Sequence, residues 1–248
     1  MVLRAAILLL AMAAPVQATE LKVVAAGAVR GVLGGMIDDY SRRSGVTFDL
    51  TVGPTGVLRE ALKSGKADLV ITSAPLMAEL ERSNQVAPNS RVDLGRVGLG
   101  VVVRTGTPLP DISTPEAIRA ALLKAKTIAY TDPKLGGTSV EHLMKFTEAM
   151  GIKDQVIQKA VTATGGNDAA AKVAEGQAEI SVVPISDIHH KDARLVGPLP
   201  EPIQLWTVYA AAILVASRDP AAARAFVEAL TAPEMRERWL KAGMQPAK

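Results

Sequence analysis

Small residues and a single arginine stand at the first change from strand-like to helix-like sequence. Gly27 and Ala28 follow the apolar residues 21–26, and Arg30 lies two positions further along. The first N–H groups of a helix have no intrahelical acceptor and carry the positive end of the helix dipole, so small residues there let an anion approach the backbone. We therefore interpret this turn as a candidate anion-binding site, with Arg30 as a charged donor.

Turns of the same kind follow other strand-like segments. Pro54 and Thr55 come after the alternating residues 46–53, and Ser73 ends the apolar residues 67–73. Ligands of open α/β sheets bind beyond the carboxyl ends of the strands, so we expect these turns to meet the first one at a single sheet edge. The two hydroxyl groups would add hydrogen-bonding capacity there.

The second half of the chain repeats this arrangement. The strand-like residues 127–132 are followed by a turn that contains Gly137 and Thr138, and the strand-like residues 179–185 run into a turn at Pro184. Both turns are built of small or hydroxyl-bearing residues. The repetition predicts two similar lobes whose turns face each other.

Strand-like and helix-like segments alternate along the chain. Residues 21–26, 46–53 and 67–73 are strand-like, and the segments between them place apolar residues at helical spacing. This alternation predicts an α/β fold with two doubly wound lobes, joined by a hinge of two crossovers near residues 98–104 and 204–210. The predicted lobes are residues 19–100 with 208–248, and residues 101–207.

Residues 1–18 have the pattern of a cleavable secretory signal. Arg4 precedes an apolar run over residues 5–14, and small residues lead up to Ala18. The apolar run is too short to span a bilayer, although a membrane anchor or a buried first helix is the alternative. We expect a mature chain that begins near Thr19 and is free in the periplasm.

Composition excludes several kinds of site. The formal net charge is +3 without a cluster of lysine and arginine, so we expect no nucleic-acid partner. The chain has no cysteine, which excludes a lipid-modified cysteine, a thiolate metal site and a cysteine nucleophile. The adjacent His189 and His190 lack further clustered metal ligands. We expect a monomer with neither cofactor nor metal.

Five segments carry a family resemblance. They are LKVVAAGAV, VGPTGVLREALKSGKADLVIT, AYTDPKLGGTSVEHLM, AAAKVAEGQAEISVVPISD and DPAAARAFVEALTAPEMRERWLKAGM. In this order they resemble the periplasmic molybdate-binding proteins of ABC importers, a branch of the type II solute-binding fold. The resemblance covers essentially the whole mature chain. It implies two α/β lobes that close over a small anionic ligand, and a permease in the inner membrane that recognises the closed form.

The resemblance also implies particular binding residues. Thr55 keeps the hydroxyl group of the family's second turn. Gly137 and Thr138 match the loop that presents N–H groups from the second lobe. Asn167 matches an asparagine at a later helix start.

Two positions depart from the family's pattern. Gly27 stands where the family has a serine, and Pro184 where it has a tyrosine. These changes remove two hydrogen-bond donors to the anion, each worth roughly 1.5–3 kcal/mol, which weakens the case for molybdate. Arg30 is the compensating candidate, because a guanidinium group suits a planar carboxylate better than a tetrahedral oxyanion. The alternative is that Arg30 faces solvent on the helix surface.

A second resemblance concerns the segments SRVDLG, VRTGTPLPDIS and AYTD. They resemble a divergent branch of the same family that includes aconitate isomerases, which act on an unsaturated tricarboxylate. An isomerase that moves a proton between carbon atoms needs a general acid or base near the substrate. Spacing identifies none, and the candidates are Tyr130, Asp132, Ser139, His142, Asp168 and Asp187.

Some polar residues also have structural interpretations. His142 lies on a helix-like segment whose apolar positions include Val140 and Leu143, which favours helix packing. Asp132 precedes a proline and is expected to form a turn. Asp68 precedes an apolar strand and is expected to have a structural role.

Two functions of different class follow. The first is a periplasmic solute-binding protein that captures a small anion, an organic carboxylate or an oxyanion, for an ABC importer. The alternative is a cofactor-independent isomerase of an unsaturated tricarboxylate on the same scaffold. A binding module that serves a sensor or another kind of transporter is a third possibility.

Overall fold

The computed structural model describes residues 19–247, so the predicted signal sequence at residues 1–18 lies outside the described residues. The strands are β1 (Glu20–Ala26), β2 (Thr47–Gly53), β3 (Leu69–Ser73), β4 (Val92–Arg104), β5 (Ile128–Thr131), β6 (Ala160–Ala163), β7 (Ile180–Pro184), β8 (Ala193–Pro198) and β9 (Trp206–Ile213). The α-helices are α1 (Arg30–Ser44), α2 (Thr55–Lys63), α3 (Ala74–Arg82), α4 (Pro115–Lys124), α5 (Thr138–Ala149), α6 (Lys153–Gln158), α7 (Gly166–Ala174), α8 (Pro220–Thr231) and α9 (Met235–Lys241). Short 3-10 helices cover Gly27–Val29, Pro133–Leu135, Ile185–Asp187 and Glu201–Ile203.

The strands form two half-sheets that share β4. The first half-sheet has the order β2-β1-β3-β9-β4, in which β1 is parallel to β2 and β3, and β9 is antiparallel to β3 and β4. The second has the order β8-β4-β7-β5-β6, in which β5 is parallel to β6 and β7. Residues 92–98 of β4 pair with β9, and residues 99–104 pair with β7 and β8. The predicted α/β class with two doubly wound lobes is confirmed.

Helices cover both faces of the first half-sheet. On one face, α1 and α8 pack around an aromatic cluster of Tyr40, Phe48 and Phe226, whose ring centroids lie 4.7–6.0 Å apart. On the other face, α2 and α3 form a second apolar cluster with β1, β3 and β9. Residues 210–212 of β9 are alanines with no exposed surface. Their small side chains allow helices to pack closely on both sides of the strand.

The second half-sheet has a core of its own. Ile118 and Leu122 of α4 and Leu143 and Phe146 of α5 pack with β4, β5 and β7. A smaller cluster formed by α7 covers the opposite face. No helix within residues 19–247 combines the length and apolar character that a membrane span needs.

Asp68 connects three separated segments of the first lobe. Its carboxylate accepts hydrogen bonds from the Lys22 N–H group at 2.9 Å, the Ser217 hydroxyl at 3.1 Å and the Arg218 N–H group at 2.7 Å. The residue is 1% exposed, so these donors satisfy a buried carboxylate that would otherwise be costly. The structural role expected for Asp68 is confirmed.

The two sets of parallel strands determine where a ligand can meet both lobes. In the first half-sheet, β1, β2 and β3 end together, with Ser73 as the last residue of β3. In the second, β5, β6 and β7 end together, with Pro184 as the last residue of β7. Residues from all six strand ends or the turns after them line one space between the lobes.

Candidate anion-binding site

A cavity of about 280 Å³ lies between the carboxyl ends of the two sets of parallel strands. The ten residues that the sequence analysis proposes for ligand binding all line it. They are Gly27, Ala28, Arg30, Pro54, Thr55, Ser73, Gly137, Thr138, Asn167 and Pro184. The volume is near the lower end of the range for small-molecule sites, which favours a ligand of few atoms.

Helix N-termini without side-chain caps surround this cavity. The helices concerned are α1, α2, α3, α5 and α7. Away from the cavity, α4 and α8 are capped by Thr114 and Asp219, whereas α6 and α9 also lack side-chain caps. The location of the five helix starts around one cavity is therefore the significant feature, rather than the missing caps alone. The first N–H groups of a helix have no intrahelical acceptor and can bind an anion, and for α1 they belong to the preceding 3-10 helix because the Arg30 N–H group donates to the Gly27 carbonyl oxygen.

The turn before α5 differs in detail from the expectation. Gly136 and Gly137 have φ values of 66° and 131°, a backbone that favours glycine at both positions. We expected the Gly137 N–H group to be available to a ligand. It instead donates to Glu141 Oε1 at 3.2 Å. The N–H groups of Thr138 and Ser139, in the first turn of α5, have no intrahelical acceptor and take its place.

Arg30 begins α1 and borders the cavity. Its Nη2 donates to the Val52 carbonyl oxygen at 3.5 Å, a long hydrogen bond that joins the start of α1 to the end of β2. The residue is exposed and also lines the cavity, so the two interpretations of Arg30 are compatible. Its guanidinium group carries five N–H donors in a planar fork, which leaves donors available to a ligand.

Asp187 places a buried carboxyl group at the cavity. It ends the 3-10 helix after β7 and is 4% exposed, and its Oδ1 has no hydrogen-bond partner among the described residues. Burial raises the pKa of Asp187 to about 7, while the positive charge of Arg30 acts in the opposite direction. The carboxyl group therefore changes between its neutral and charged forms near neutral pH.

Tyr209 supplies a phenol that the sequence analysis did not assign to the site. Burial raises the pKa of Tyr209 above its ordinary range, the negative charge of Asp187 raises it further, and a hydrogen bond with Thr138 lowers it. The phenol is therefore neutral and carries a proton that it can donate. Tyr209 reaches the site because β9 pairs with β3 so that Tyr209 lies opposite Ser73. An antiparallel pairing between such distant segments has no local sequence signal.

Other hydroxyl groups at the site were also missed. Thr72 and Thr131 lie at or beside the ends of β3 and β5, and Thr164 follows β6. Thr72 and Thr131 are adjacent to or near predicted turns, and a rule that includes the hydroxyl residues beside each predicted turn would have found them. Thr164 follows β6, a strand that the sequence analysis did not assign.

Three of the six residues considered as an acid or base line the cavity, namely Ser139, Asp168 and Asp187. The Asp168 carboxylate accepts hydrogen bonds from the Thr164 N–H and hydroxyl groups at 2.8 and 3.1 Å, and it pairs with Lys172 at 3.6 Å. The Asp168 carboxylate therefore has hydrogen-bond and ion-pair partners at the start of α7. Asp187 Oδ1 has no such partner among the described residues.

The other three candidates have structural contacts away from the cavity. Tyr130 is buried in the core of the second lobe. Asp132 accepts a hydrogen bond from the Lys134 N–H group at 3.0 Å, as expected for a turn. His142 Nε2 lies 2.8 Å from the Ile203 carbonyl oxygen, which agrees with helix packing.

The two adjacent histidines pack in separate ways. A Cβ atom on Gly31 would lie 2.5 Å from His189 Cε1, so the ring rests on the backbone of α1. His190 Nδ1 accepts a hydrogen bond from the Asp192 N–H group at 3.1 Å. Within residues 19–247, no group of three or more acidic, histidine or cysteine residues is placed to hold a metal ion.

Known proteins resemble this chain over nearly its whole length. The model of the bacterial extracellular solute-binding protein family matches residues 21–245. An aconitate isomerase of Pseudomonas sp. is 29% identical over 235 residues, which cover 92% of this chain and 88% of that protein. The structure of the periplasmic molybdate-binding protein of Azotobacter vinelandii has a TM-score of 0.75 at 19% identity, covering 92% of this chain and 100% of that chain. The structure of a sulfate-binding protein of Mycobacterium tuberculosis has a TM-score of 0.69 at 20% identity. The match covers 93% of this chain and 88% of that chain.

These findings confirm the resemblance to periplasmic molybdate-binding proteins and to the branch that includes aconitate isomerases. At their low identities, the two solved structures show that the fold is shared. The family model covers the residues of both lobes and of every strand end at the cavity. The chain belongs to the bacterial extracellular solute-binding protein family.

Proposed function

We propose that this protein captures a small organic carboxylate in the cavity between its lobes and delivers it to an ABC permease of the inner membrane. The observation that carries the proposal is the set of uncapped helix N-termini around the cavity. These N–H groups favour a negatively charged ligand because they combine unpaired donors with the positive ends of helix dipoles. The family match supports the role in solute binding.

Arg30 supports a carboxylate as the ligand. Its guanidinium group borders the cavity, and its planar fork forms two parallel hydrogen bonds with a carboxylate. The relative named as an aconitate isomerase is named for a carboxylate substrate. Molybdate and sulfate, the ligands for which two structural neighbours are named, are the oxyanion alternatives.

The proposed mechanism is closure of two lobes on one ligand. Donors come from Arg30 and Thr55 on the first lobe and from Thr138 and Asn167 on the second. A ligand that bridges them favours the closed form by the difference between its affinities for the two forms. We place the lobes at residues 19–100 with 208–248 and at residues 101–207, and we propose that a periplasmic monomer presents its closed form to the permease.

A thermal-shift screen of the chain from Thr19 onward tests this proposal. The ligands are molybdate, tungstate, sulfate, phosphate and a set of di- and tricarboxylates with both aconitate isomers. A ligand at about 100 times its dissociation constant adds roughly 2.7 kcal/mol, which raises Tm by about 5–10 °C for a chain of this size. Stabilisation by a carboxylate is expected. Stabilisation by molybdate or tungstate alone contradicts the assignment of the ligand, and no stabilisation by any anion contradicts anion capture.

An isomerase is the second candidate, and Asp187 is the observation that favours it. A carboxylate at the cavity with a pKa of about 7 is suited to accept a proton near neutral pH. In such a reaction, Asp187 takes a proton from a carbon next to a double bond, the double bond shifts, and the proton returns to the carbon at the other end. Substrate and product then have the same composition, and no cofactor is consumed.

Nuclear magnetic resonance of separate cis- and trans-aconitate samples, each incubated with the protein, tests the second candidate. Catalysis predicts that both samples reach the same isomer ratio and that Asp187→Asn prevents this. Binding without conversion supports the solute-binding proposal and contradicts the isomerase.

A further inference from the structure

Hydrogen-bond donors dominate the cavity, and Asp187 is an acid among them. The charged side chains that line the cavity within residues 19–247 are Arg30, Asp168 and Asp187. Asp168 is held by hydrogen bonds from Thr164 and by Lys172. By contrast, the buried Oδ1 of Asp187 has no hydrogen-bond partner among the described residues. A buried polar atom without a partner at a ligand cavity needs an explanation.

The groups around Asp187 come from several elements. Arg30 of α1 contributes a positive charge, and Tyr209 of β9 contributes a neutral phenol. Asn167 of α7 donates from Nδ2 to the Asp187 carbonyl oxygen at 3.2 Å, which fixes the main chain. His189 has its pKa lowered by burial and by the charge of Arg30, so it adds no full positive charge near neutral pH. Arg30 is thus the cation that acts on this carboxyl group.

Glycine backbones flank the carboxyl group of Asp187. A Cβ atom on Gly27 would lie 3.9 Å from Oδ1, and one on Gly166 would overlap Oδ2. Because Gly166 has no side chain, the carboxyl group fits against the start of α7, and the turn after β1 lies in ordinary contact distance on its other side. A ligand bound at those two turns would therefore lie beside Asp187.

The two forms of Asp187 have opposite effects on an anion. The charged carboxylate repels it in a site of low dielectric constant, where charges interact more strongly than in water. The neutral carboxyl group carries an O–H donor and resembles the other donors around the cavity. An anion therefore favours the neutral form.

We propose that Asp187 takes up one proton when the anion binds and donates it in a hydrogen bond to the ligand, so that the cavity binds an anion together with a proton. This inference rests on the proposed capture of an anion. A proton donated in this way makes Asp187 a specificity-determining residue. It favours ligands that place a hydrogen-bond-accepting oxygen next to the turns at Gly27 and Gly166.

The proposal predicts a definite dependence on pH. The pKa of Asp187 is about 7 without ligand, and a bound anion raises it further. Well below this pKa the proton is already present, so binding requires no uptake. Above about pH 7 each binding event takes up about one proton, and affinity falls about tenfold for each further pH unit.

Isothermal titration calorimetry with two probes tests the proposal. The probes are molybdate and trans-aconitate, each studied at about pH 6, 7, 8 and 9. Two buffers with different ionisation enthalpies at each pH report the number of protons taken up. The expected result is close to one proton for each ligand at about pH 8, with affinity decreasing from about pH 7 to 9.

Asp187→Asn distinguishes protonation of Asp187 from the titration of other groups. Asparagine keeps the shape of the side chain and a donor, and it does not titrate. We expect the variant to lose the proton uptake and most of the pH dependence of binding. Asp38→Asn removes the same charge from an exposed position on α1 and is the matched control, with proton uptake unchanged.

Each outcome has a separate meaning. Anion binding without proton uptake above about pH 7 overturns this inference and leaves anion capture intact. Absence of binding by every probe of the thermal-shift screen at every pH overturns anion capture itself. Even if Asp187→Asn does not fold, the number of protons that the original protein takes up on binding tests the proposed proton uptake.

Discussion

The carboxyl group of Asp187 lies directly against the backbone of Gly166, where a Cβ atom would overlap Oδ2. Gly166→Ala therefore has to displace either the carboxyl group or the start of α7. Overpacking of this kind costs about 1–3 kcal/mol, and a comparable loss of ligand-binding free energy weakens affinity by roughly 5- to 150-fold. Calorimetric titration of the anion found by thermal shift measures this loss.

Gly34→Ala is the matched control for this substitution. A Cβ atom at Gly34 meets nothing within 4 Å, and the residue lies inside α1. Alanine is favoured over glycine in a helix by about 0.5–1 kcal/mol, so this variant should gain stability and keep its affinity. Equal ligand affinity in Gly166→Ala and Gly34→Ala would show that ligand binding does not depend on the contact between Gly166 and Asp187.

The contact between Gly56 and Leu135 offers a test of the proposed closure of the lobes. A Cβ atom on Gly56 would lie 2.6 Å from the carbonyl oxygen of Leu135, a residue of the proposed second lobe. Gly56→Ala should oppose the closed form by about 1–3 kcal/mol and reduce ligand affinity accordingly. Small-angle X-ray scattering should detect a smaller ligand-induced decrease in the radius of gyration. Unchanged affinity together with unchanged compaction would argue against this rim contact as part of closure.

The stability of the ligand-free protein should depend on pH through Asp187. Its pKa is raised from 3.8 to about 7 in the folded protein. The folded state therefore binds more protons than the unfolded state between these values. The stabilising contribution is complete below about pH 4 and is lost as pH rises to about 7, by up to about 1.4 kcal/mol per pH unit.

Urea denaturation at about pH 5 and about pH 8 measures this contribution. Asp187→Asn does not titrate, so it should lose less stability than the original protein between the two pH values. We expect the variant to be the more stable of the two at about pH 8, because it buries no charge. An identical loss in both proteins would show that Asp187 is not the titrating group.

Asp68 offers a test of the fold that does not involve the site. Asp68→Asn replaces a buried carboxylate that accepts hydrogen bonds from Lys22, Ser217 and Arg218. The free energy of unfolding should fall by about 1–3 kcal/mol in denaturant titrations, since one acceptor oxygen becomes an NH2 group that cannot accept a hydrogen bond from its buried donor. Asp49→Asn is the control, because the exposed Asp49 forms a 3.5 Å surface ion pair worth about 0–1 kcal/mol. Equal losses in the two variants would contradict the structural role of Asp68.

Local sequence signals predicted much of the fold. Gly45 ends α1 with a φ of 75°, and Asp219 caps α8, as glycine at a helix end and a carboxylate at a helix start predict. The short β6 and β8 and the helices α3, α4 and α6 were not assigned. The short β6, β8 and α6 depend on packing against distant elements, so their own residues give weaker signals. The helix α4, by contrast, has Thr114 as its cap and a proline at its start, which are local signals that were not used.

The turns at the candidate site were predictable because parallel strands bring their carboxyl ends to one edge. Thr55 and Thr138 therefore line the same cavity although they belong to different lobes. Tyr209 was not predictable in this way, since it reaches the cavity through the antiparallel pairing of β9 with β3. Asp187 was considered only as one acid among several, because burial and the missing partner of Oδ1 require coordinates.

Calorimetric titration of trans-aconitate and molybdate into the chain from Thr19 onward tests whether the cavity captures a carboxylate through Arg30. We expect the carboxylate to bind with one site per chain. Arg30→Ala should weaken that binding about 10- to 150-fold, the effect of losing a charge-assisted hydrogen bond worth about 1.5–3 kcal/mol. Arg224→Ala removes the same charge from an exposed position on α8 and should bind as the original protein does. Carboxylate binding that is unaffected by Arg30→Ala, or no binding of either anion, would contradict the account.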